Sequence, residues 1–456
     1  MSLSSILSIA RTALLSQQKA LDVTGHNIAN ASTEGYTRQR LRLTAAVPLQ
    51  TPIGQVGRGV TADGIERIRS SFLDTGFRQE NGLLGQYSTS KEMLDQVEGV
   101  FGEPSDNGLG AGIDQFLSAF GDLANNPSDL SSRQVLTQAA TALTRQFNSL
   151  DQRISAVGQD AQARIASVLS DVNSFAAQIA DLNTRIVAGE SNGKTAPDLR
   201  DARDLLVDKV SSLMSTRVVQ HPNGSIGLLA GDSLLVDGSQ SAVLQSKTLA
   251  SGATGIGFTT SASTFDPGAG TLKALTEITS KTIPSVRAQL DSLAKGIVTE
   301  VNKLHAAGKT LTGATGLNFF DPTGLTAATM SVSASVLQST SNIAAGTSGG
   351  VGDGSVALAI AGFRTTALPS FGNQTVNGAY TGLVASIGVL TRDAGQNATA
   401  QDTIVANVDS QRSSMSGVSV DEELTNMIEQ QHAFAAAARM VTVADQMIQS
   451  VLAMVQ

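Results

Sequence analysis

The chain has 456 residues: 41% are hydrophobic, 15% charged and 4% aromatic, the net charge is −8, and there is no cysteine. This fits a globular protein of about two to four domains and excludes disulfides, thiol catalysis and cysteine-ligated zinc. The acidic balance argues against nucleic-acid binding, which calls for a basic stripe. No apolar run of about 18 residues is present to span a membrane.

The first predicted element is a helix from Ser2 to Ile28. Leu3, Leu7, Ala10, Leu14, Gln17, Leu21, Thr24 and Ile28 recur at 4-3 spacing, the pattern of a coiled-coil seam. Ile6, Ile9, Ala13, Ala20 and Val23 form a second stripe, so this helix offers apolar surface to more than one neighbour. The start lacks a cationic segment, and Arg11 and Lys19 interrupt it, so it does not read as a cleavable secretory signal.

Residues 41–68 alternate and are broken by Pro and Gly, which predicts extended chain and turns. Helices are predicted at about 67–101, 112–124, 128–188 and 197–215. The third is so long that it is expected to lie along another long helix. From Thr216 to Gly270 short strand runs are divided by turn dipeptides such as Asn223-Gly224 and Asp237-Gly238. This reads as a small inserted β domain with its own core. Helix returns at 272–307, loops occupy 308–354, and helical pattern resumes from Ser355 and again over 380–415.

The chain ends as it began. Asp421, Glu422 and Glu423 place acids on a helix N-terminal turn, where the helix dipole favours them. Leu424, Met427, Gln431, Phe434, Ala438, Val441, Asp445, Ile448 and Leu452 then run at 3-4 spacing. Heptad helices at opposite chain ends are expected to pair with each other. The predicted fold class is mainly α with an inserted small β domain, its terminal heptad helices paired as a coiled-coil stalk and a long-helix bundle forming the middle. The expected domains are 1–45 with 416–456, 46–215 with 271–415, and the insert 216–270.

Catalytic motifs are weak. Gly193-Lys194-Thr195 resembles the end of a phosphate loop, but Gly189 is one residue too close and no strand precedes it. Gly346-Thr347-Ser348-Gly349-Gly350 matches a nucleophile-elbow pattern without its strand and helix. Asp201, Asp204 and Asp208 share a helical face, for which pairing within the helix, Asp204 with Arg200 or Arg203, is the expected outcome. His26, His221, His305 and His432 are scattered. No constellation supports an active site, a metal or a cofactor.

The run Asp22-Val-Thr-Gly-His26-Asn27-Ile28-Ala29-Asn30, continued by Gly35-Tyr36-Thr37-Arg38-Gln39, resembles the N-terminal signature of flagellar axial proteins of the rod and hook class. The Gly-Tyr-Thr-Arg-Gln form resembles that of hook–filament junction subunits. The segments Leu199–Ser211, Val301–Gly308, Gly316–Phe320 and Gly417–Arg439 fit the same family collinearly. Glu34 stands where proline is frequent, and His432 and Phe434 stand where glutamine and tyrosine are usual.

The resemblance implies a structural subunit, exported unfolded by the flagellar type III apparatus, that forms a ring between hook and filament. Its terminal helices would line the inner tube, with no enzymatic activity and no cofactor. The implied partners are copies of itself, the hook protein, the second junction protein and a cytoplasmic chaperone at the C-terminal helix; nucleic acid and membrane are not among them. The implied location is extracellular, in the flagellum, and cytoplasmic before export. The motif residues are Asn27, Ile28, Asn30, Gly35, Tyr36, Arg38 and Gln39. The assembly seam is Leu3, Leu7, Leu14, Leu21 and Ile28 with Leu424, Met427, Phe434, Val441, Ile448 and Leu452. Another axial subunit, either the second junction protein or a hook-type protein, is the alternative. Asp22, Arg38, Arg40 and Arg42 are expected to set register near the end of the first helix.

Overall fold

The computed structural model describes residues 3–51, 54–191, 193–249, 254–348, 350 and 352–455. Helix α1 (Leu3–Ala29) leads into a long antiparallel ribbon. In it β1 (Gln39–Ala45) pairs with β4 (Val60–Arg67), and β2 (Leu49–Thr51) with β3 (Gly54–Val56). The predicted start at Ser2 lies outside the described residues. Arg40 and Arg42 find their ion-pair partners on the ribbon and not on α1. They face Glu66 and Asp63 across the ribbon, and Asp22 is exposed.

The body begins with α2 (Ser71–Phe101), α3 (Leu109–Asn125), the 61-residue α4 (Leu130–Glu190) and α5 (Pro197–Leu213). Caps stand where the sequence changes register. Ser70 accepts from the Leu73 N–H, and Asp129 from those of Ser131 and Ser132. The predicted start of the first body helix at 67 gives way because Arg67 still pairs in the ribbon. At 1.5 Å per residue α4 is about 90 Å long. It does not lie along one long partner. Its apolar face, from Leu136 to Ile186, is covered in relay by α3, α5 and elements that return later in the chain.

Strands β5 (Thr216–Gln220), β6 (Ile226–Ala230), β7 (Ser233–Asp237) and β8 (Gln240–Ser241) form an antiparallel meander, followed by the pair β9 (Leu244–Thr248) and β10 (Thr254–Phe258). Residues 250–253 of this predicted insert lie outside the described residues. The strands sit where the turn dipeptides placed them, but their core is not separate. Ile226, Leu228, Leu235, Val236, Leu244, Ile256 and Phe258 belong to the same buried cluster as the helices. Two asparagines of α4 fasten the insert. Asn183, fully buried, donates to the carbonyls of Ile226 and Gly238 and accepts from the Ile226 N–H. Asn173 takes both backbone groups of Leu244. A flat sheet packed on a helix leaves its last strand groups unpaired, and amide side chains satisfy them.

Helices α6 (Gly270–Glu277) and α7 (Ile283–Ala307) are joined without a break by one wide helical turn, Ile278–Thr282. Short helices α8 (Ala334–Gln338) and α9 (Ser355–Ala361) punctuate the following loops. Within them Phe319 and Phe320 meet Phe116 and Phe120 with ring centroids 5.3–5.9 Å apart. Helix α10 (Val376–Ser416) returns along α2, and α11 (Val420–Val455) closes the chain against α1.

The stalk runs antiparallel: Thr24 bonds Gln430 and Asn27 bonds Glu423, so numbers rise on one helix as they fall on the other. Its contact uses small residues. Ala10, Ser16, Ala20, Val23, Thr24 and Asn27 are buried on α1, and Glu423, Ala437 and Ala444 on α11. Among the described residues no helix is long and apolar enough to cross a membrane.

Asn183→Ala removes the acceptor and donor that serve Ile226. Leaving two buried backbone groups unsatisfied is expected to cost about 2–4 kcal/mol. Urea unfolding measures it, and a loss below 1 kcal/mol, roughly one ordinary hydrogen bond, would mean the insert is not anchored there.

Candidate functional site

The densest polar constellation lies where stalk, ribbon and body meet. Asn27 is 1% exposed. Its Nδ2 donates to the Gln39 carbonyl and to Glu423 Oε2, both at 2.9 Å. Its Oδ1 accepts from the Gln39 N–H at 3.0 Å and from the Tyr36 hydroxyl at 2.8 Å. One amide thus ties the end of α1, the start of β1 and the first turn of α11, with two donors and two acceptor sites all used.

The rest of the motif surrounds it. Asn30 closes α1 by donating to the His26 carbonyl and accepting from Thr33 Oγ1. Gly35 has φ +78°, a conformation that favours glycine, and a Cβ there would press on Leu205 of α5 at 3.1 Å. Tyr36 also meets His26 Nδ1 at 3.1 Å. Burial raises its phenol well above the ordinary value, helped by the carboxylates of Asp198, Asp201 and Glu423. Arg38 donates from Nε to Glu423 Oε1 at 2.7 Å and from Nη1 to Glu422 Oε2 at 2.9 Å, while its N–H bonds the Ser416 carbonyl. Gln39 reaches Asp198 at 2.7 Å. Ile28 is half-buried on the flank.

A second layer joins this knot to the body. The α5 aspartates take their hydrogen bonds from outside their helix; within it Asp204 Oδ1 has only Arg203 Nε, 4.0 Å away. Asp201 accepts from the Thr37 N–H and hydroxyl at 2.9 and 2.6 Å and from Arg67 at 2.7 Å. Asp204 accepts from Arg67 at 2.8 Å and Arg69 at 2.9 Å. Asp208 accepts from Arg78 at 2.6 Å and Arg412 at 2.7 Å. Arg412 also lies 3.9 Å over the Phe77 ring. The expected partners differ because Arg200 turns to Glu190 with two bonds and Arg203 to Asn183 and the Gly224 carbonyl. Burial alone would raise the Asp204 carboxyl; the guanidiniums of Arg69, Arg67, Arg78 and Arg203 overcome it and hold it below its ordinary value.

Arg67, Arg69, Arg78 and Arg412 are the residues that sequence reasoning missed. Their only sequence signal is a row of arginines near the ends of predicted elements, matched by four aspartates at 3-3-4 spacing on α5.

The seam residues lie elsewhere. Leu7, Leu14, Leu21 and Ile28 are half-buried, as are Met427, Val441 and Ile448. Leu424, Phe434 and Leu452 are exposed, at 46%, 38% and 62%. The side chain of Leu3 lies outside the described residues. The intrachain contact runs one register over, through Glu423, Gln430, Ala437 and Ala444 at strict seven-residue spacing, because small side chains let two helix backbones approach closely. The large residues form a stripe beside the contact.

The weaker motifs resolve as structure. Ser348 Oγ donates to Asp353 at 2.6 Å, and Asp353 also caps the Thr347, Ser348 and Ser355 N–H groups; Gly349 lies outside the described residues. Lys194 is exposed, and Thr195 bonds the Ile65 carbonyl. His305 is fully buried, with Nδ1 donating to the Leu317 carbonyl at 2.7 Å and Nε2 accepting from the Ala344 N–H at 2.9 Å. That fixes a neutral tautomer, and desolvation lowers its pKa accordingly. Among the described residues no group of three His, Asp or Glu could hold a metal ion.

Three family models match in chain order. Residues 7–37 match "Flagella basal body rod protein". Residues 94–320 match "Flagellar hook-associated protein FlgK helical domain", and 409–454 match "Flagellar basal body rod FlgEFG protein C-terminal". The chain is 32% identical to flagellar hook-associated protein 1 of Bacillus subtilis over 98% of this chain and 97% of that one. It is 29% identical to flagellar hook-associated protein 1 of Salmonella typhimurium over 52% of this chain and 43% of that one. The solved flagellar hook junction protein FlgK from Burkholderia pseudomallei shares the fold, with a TM-score of 0.66 and 18% identity over 76% of this chain and all of that one.

Paired terminal helices clasped to a helical body by the rod-and-hook motif define a structural protein of the flagellar axis. Within that class the chain belongs to the flagellar hook-associated protein 1 family.

Asp204 titrates below its ordinary 3.8 in the fold. Its contribution is therefore complete above about pH 3.8 and is lost as pH falls through the lowered value. Asp204→Asn leaves Arg67 and Arg69 short of a buried partner and is expected to cost about 3 kcal/mol at pH 7. The difference between variant and parent should shrink on going from pH 7 to pH 3, as read by urea unfolding at both. A gap of equal size at both pH values would mean that the Asp204 charge does not hold the clasp.

Proposed function

We propose that this chain is a structural subunit of the hook–filament junction. It is exported by the flagellar type III apparatus and assembles outside the cell as a ring one subunit thick. Its partners are copies of itself, the hook protein and the second junction protein, with a cytoplasmic chaperone holding α11 before export. The terminal stalk lines the inner tube, and the β insert faces outward. The three expected segments, stalk, body and insert, are roles in that assembly rather than separate folding units. The reading assigns the chain no catalytic role.

One observation carries the proposal. On α11 large apolar residues remain uncovered by α1 on several faces along the helix: Leu424, Ile428, Phe434, Met440, Val443, Met447, Val451 and Leu452 are each more than a third exposed. Exposed apolar surface spread along a whole helix marks contact with other proteins. Copies packed on either side in a ring would cover it, and so would a chaperone before export. The half-buried Leu7, Leu14, Leu21, Met427, Val441 and Ile448 lie beside the intrachain contact and would complete the seam.

Leu424→Asp combined with Leu452→Asp tests this. Both positions are exposed in the subunit, so its unfolding free energy should move by less than about 0.5 kcal/mol per site. In the ring each introduced carboxylate would be buried unpaired at a cost of several kcal/mol. The expected result is a soluble subunit with unchanged melting, and cells that carry hooks but shed filament protein into the medium. Normal filaments and swimming from the double variant would sink the proposal. Ala444→Glu is the contrasting change, since Ala444 is fully buried between α1 and α11. It should destabilise the stalk of the isolated subunit as well.

A further inference from the structure

We propose that His305 and Arg133 form a proton-sensitive latch that holds the segment 309–347 on the body. The proposal is independent of the junction reading. His305, on α7, is 0% exposed, and Arg133, near the start of α4, is 1% exposed. The imidazole meets the segment at two places. Nδ1 donates to the Leu317 carbonyl at 2.7 Å, and Nε2 accepts from the Ala344 N–H at 2.9 Å. Arg133 holds the same segment beside it. Its Nη1 donates to the Thr340 and Ile343 carbonyls at 3.1 and 2.6 Å, while Nε and Nη2 donate to the Pro127 carbonyl at 3.0 and 2.6 Å. All these bonds end on neutral oxygens, so the guanidinium charge stays uncompensated by a carboxylate within its own hydrogen bonds.

Only a neutral ring fits these partners. A second proton on Nε2 would turn an acceptor into a donor aimed at the Ala344 N–H. One buried hydrogen bond would be lost, and two donors would confront each other away from water. Protonation would also place a second buried cation near Arg133, whose field already opposes it. The surrounding elements offer no relief. Helices α8 and α9 carry no titratable side chain. Lys309 and Asp122 are exposed, and Asp321 is engaged by Thr323. On α7 Lys303 pairs with Glu300, and on α3 Asp114 is taken by Arg364 and Asn377. Phe319 meets the imidazole edge to face, with ring centroids 5.5 Å apart.

The ring therefore titrates below its ordinary 6.5, chiefly through desolvation. The latch is complete above about pH 6.5 and weakens as pH falls, because the imidazole of an opened segment takes up a proton that the closed one refuses. Other ties on the segment are neutral. Asn302 serves both backbone groups of Phe320, at 3.0 and 2.8 Å, and Phe319 and Phe320 pack on Phe116 and Phe120. The clasp lies near the other end of α4, where Arg203 of α5 meets Asn183. It rests on carboxylates, and Asp204 stays ionised until below its ordinary 3.8. Mild acid thus loosens the segment at one end of the body and leaves the clasp closed at the other.

The test is hydrogen–deuterium exchange of the full-length chain at pH 7.5 and pH 5.5, with intrinsic exchange rates divided out. Protection of the amides around Phe320 and Ala344 is expected to fall about tenfold between the two, the change in opening set by one imidazole of ordinary pKa that is released from a neutral site. Protection across Asp201–Asp208 on α5 is expected to stay the same. His305→Asn keeps a donor for the Leu317 carbonyl and has no titrating ring, so its protection should be lower at pH 7.5 and independent of pH. An unchanged protection of Ala344 in the parent chain, or the same tenfold fall in a folded His305→Asn protein, would overturn the proposal. Should that variant not fold, the carbon NMR signal of labelled His305 in the parent decides. A ring that stays neutral at pH 5.5 wherever the segment is protected supports the latch, and one that protonates near pH 6.5 with protection intact overturns it.

Discussion

The whole arrangement depends on one buried amide. Asn27 satisfies the end of α1, the start of β1 and the first turn of α11 at once, through four hydrogen bonds in a place that water does not reach. Burying a carboxylate such as Glu423 at 2% exposure is costly unless its oxygens are fully engaged. Asn27 and Arg38 engage them. The two chain ends, almost 400 residues apart, therefore meet in one register. That register places Ala437 and Ala444 against α1 and leaves the larger apolar residues on the outer faces.

The second constraint is the row of aspartates on α5. A helix face at 3-3-4 spacing would normally be a solvated stripe, or be paired with its own arginines. Here Arg200 and Arg203 are drawn off to Glu190 and the β insert, and Arg67, Arg69, Arg78 and Arg412 take their place. These come from the ribbon base, from α2 and from α10. Each is planar and carries several donors, so one aspartate can hold two elements at fixed orientation. Hydrophobic packing alone would let the stalk swing on the ribbon. The directional bonds at its base set its angle to the body.

The stalk itself is weakly covered. It contributes little to the main core, which runs from Met93 to Ala394 and includes the insert. Two helices that touch through alanine, serine and threonine bury little apolar area, and at about 25 cal/mol per Å² they gain little from it. That economy suits the proposed assembly, in which the apolar area is kept for contacts with neighbours. The low charge of the chain has the same sense, since charges at a packed contact need partners.

Much was determined locally and could be read from the sequence. The existence of α1, α3, α5 and α11 and the strands of the insert follow from periodicity, caps and turn residues, which act over a few neighbours. The motif around Asn27 was legible as a signature, because its glycine and its asparagines serve local turns. Other features were decided only by the tertiary structure. The heptad pattern marked the large residues as the seam, yet the close contact went to the small ones, because one partner covers only one side of each helix. The insert looked self-contained, but its strands complete their bonds on Asn173 and Asn183 of α4. The pairing of Asp201, Asp204 and Asp208 depended on arginines that lie up to 204 positions away. Sequence spacing carries which residues share a face; which partner arrives at that face is settled when distant segments compete for it in space.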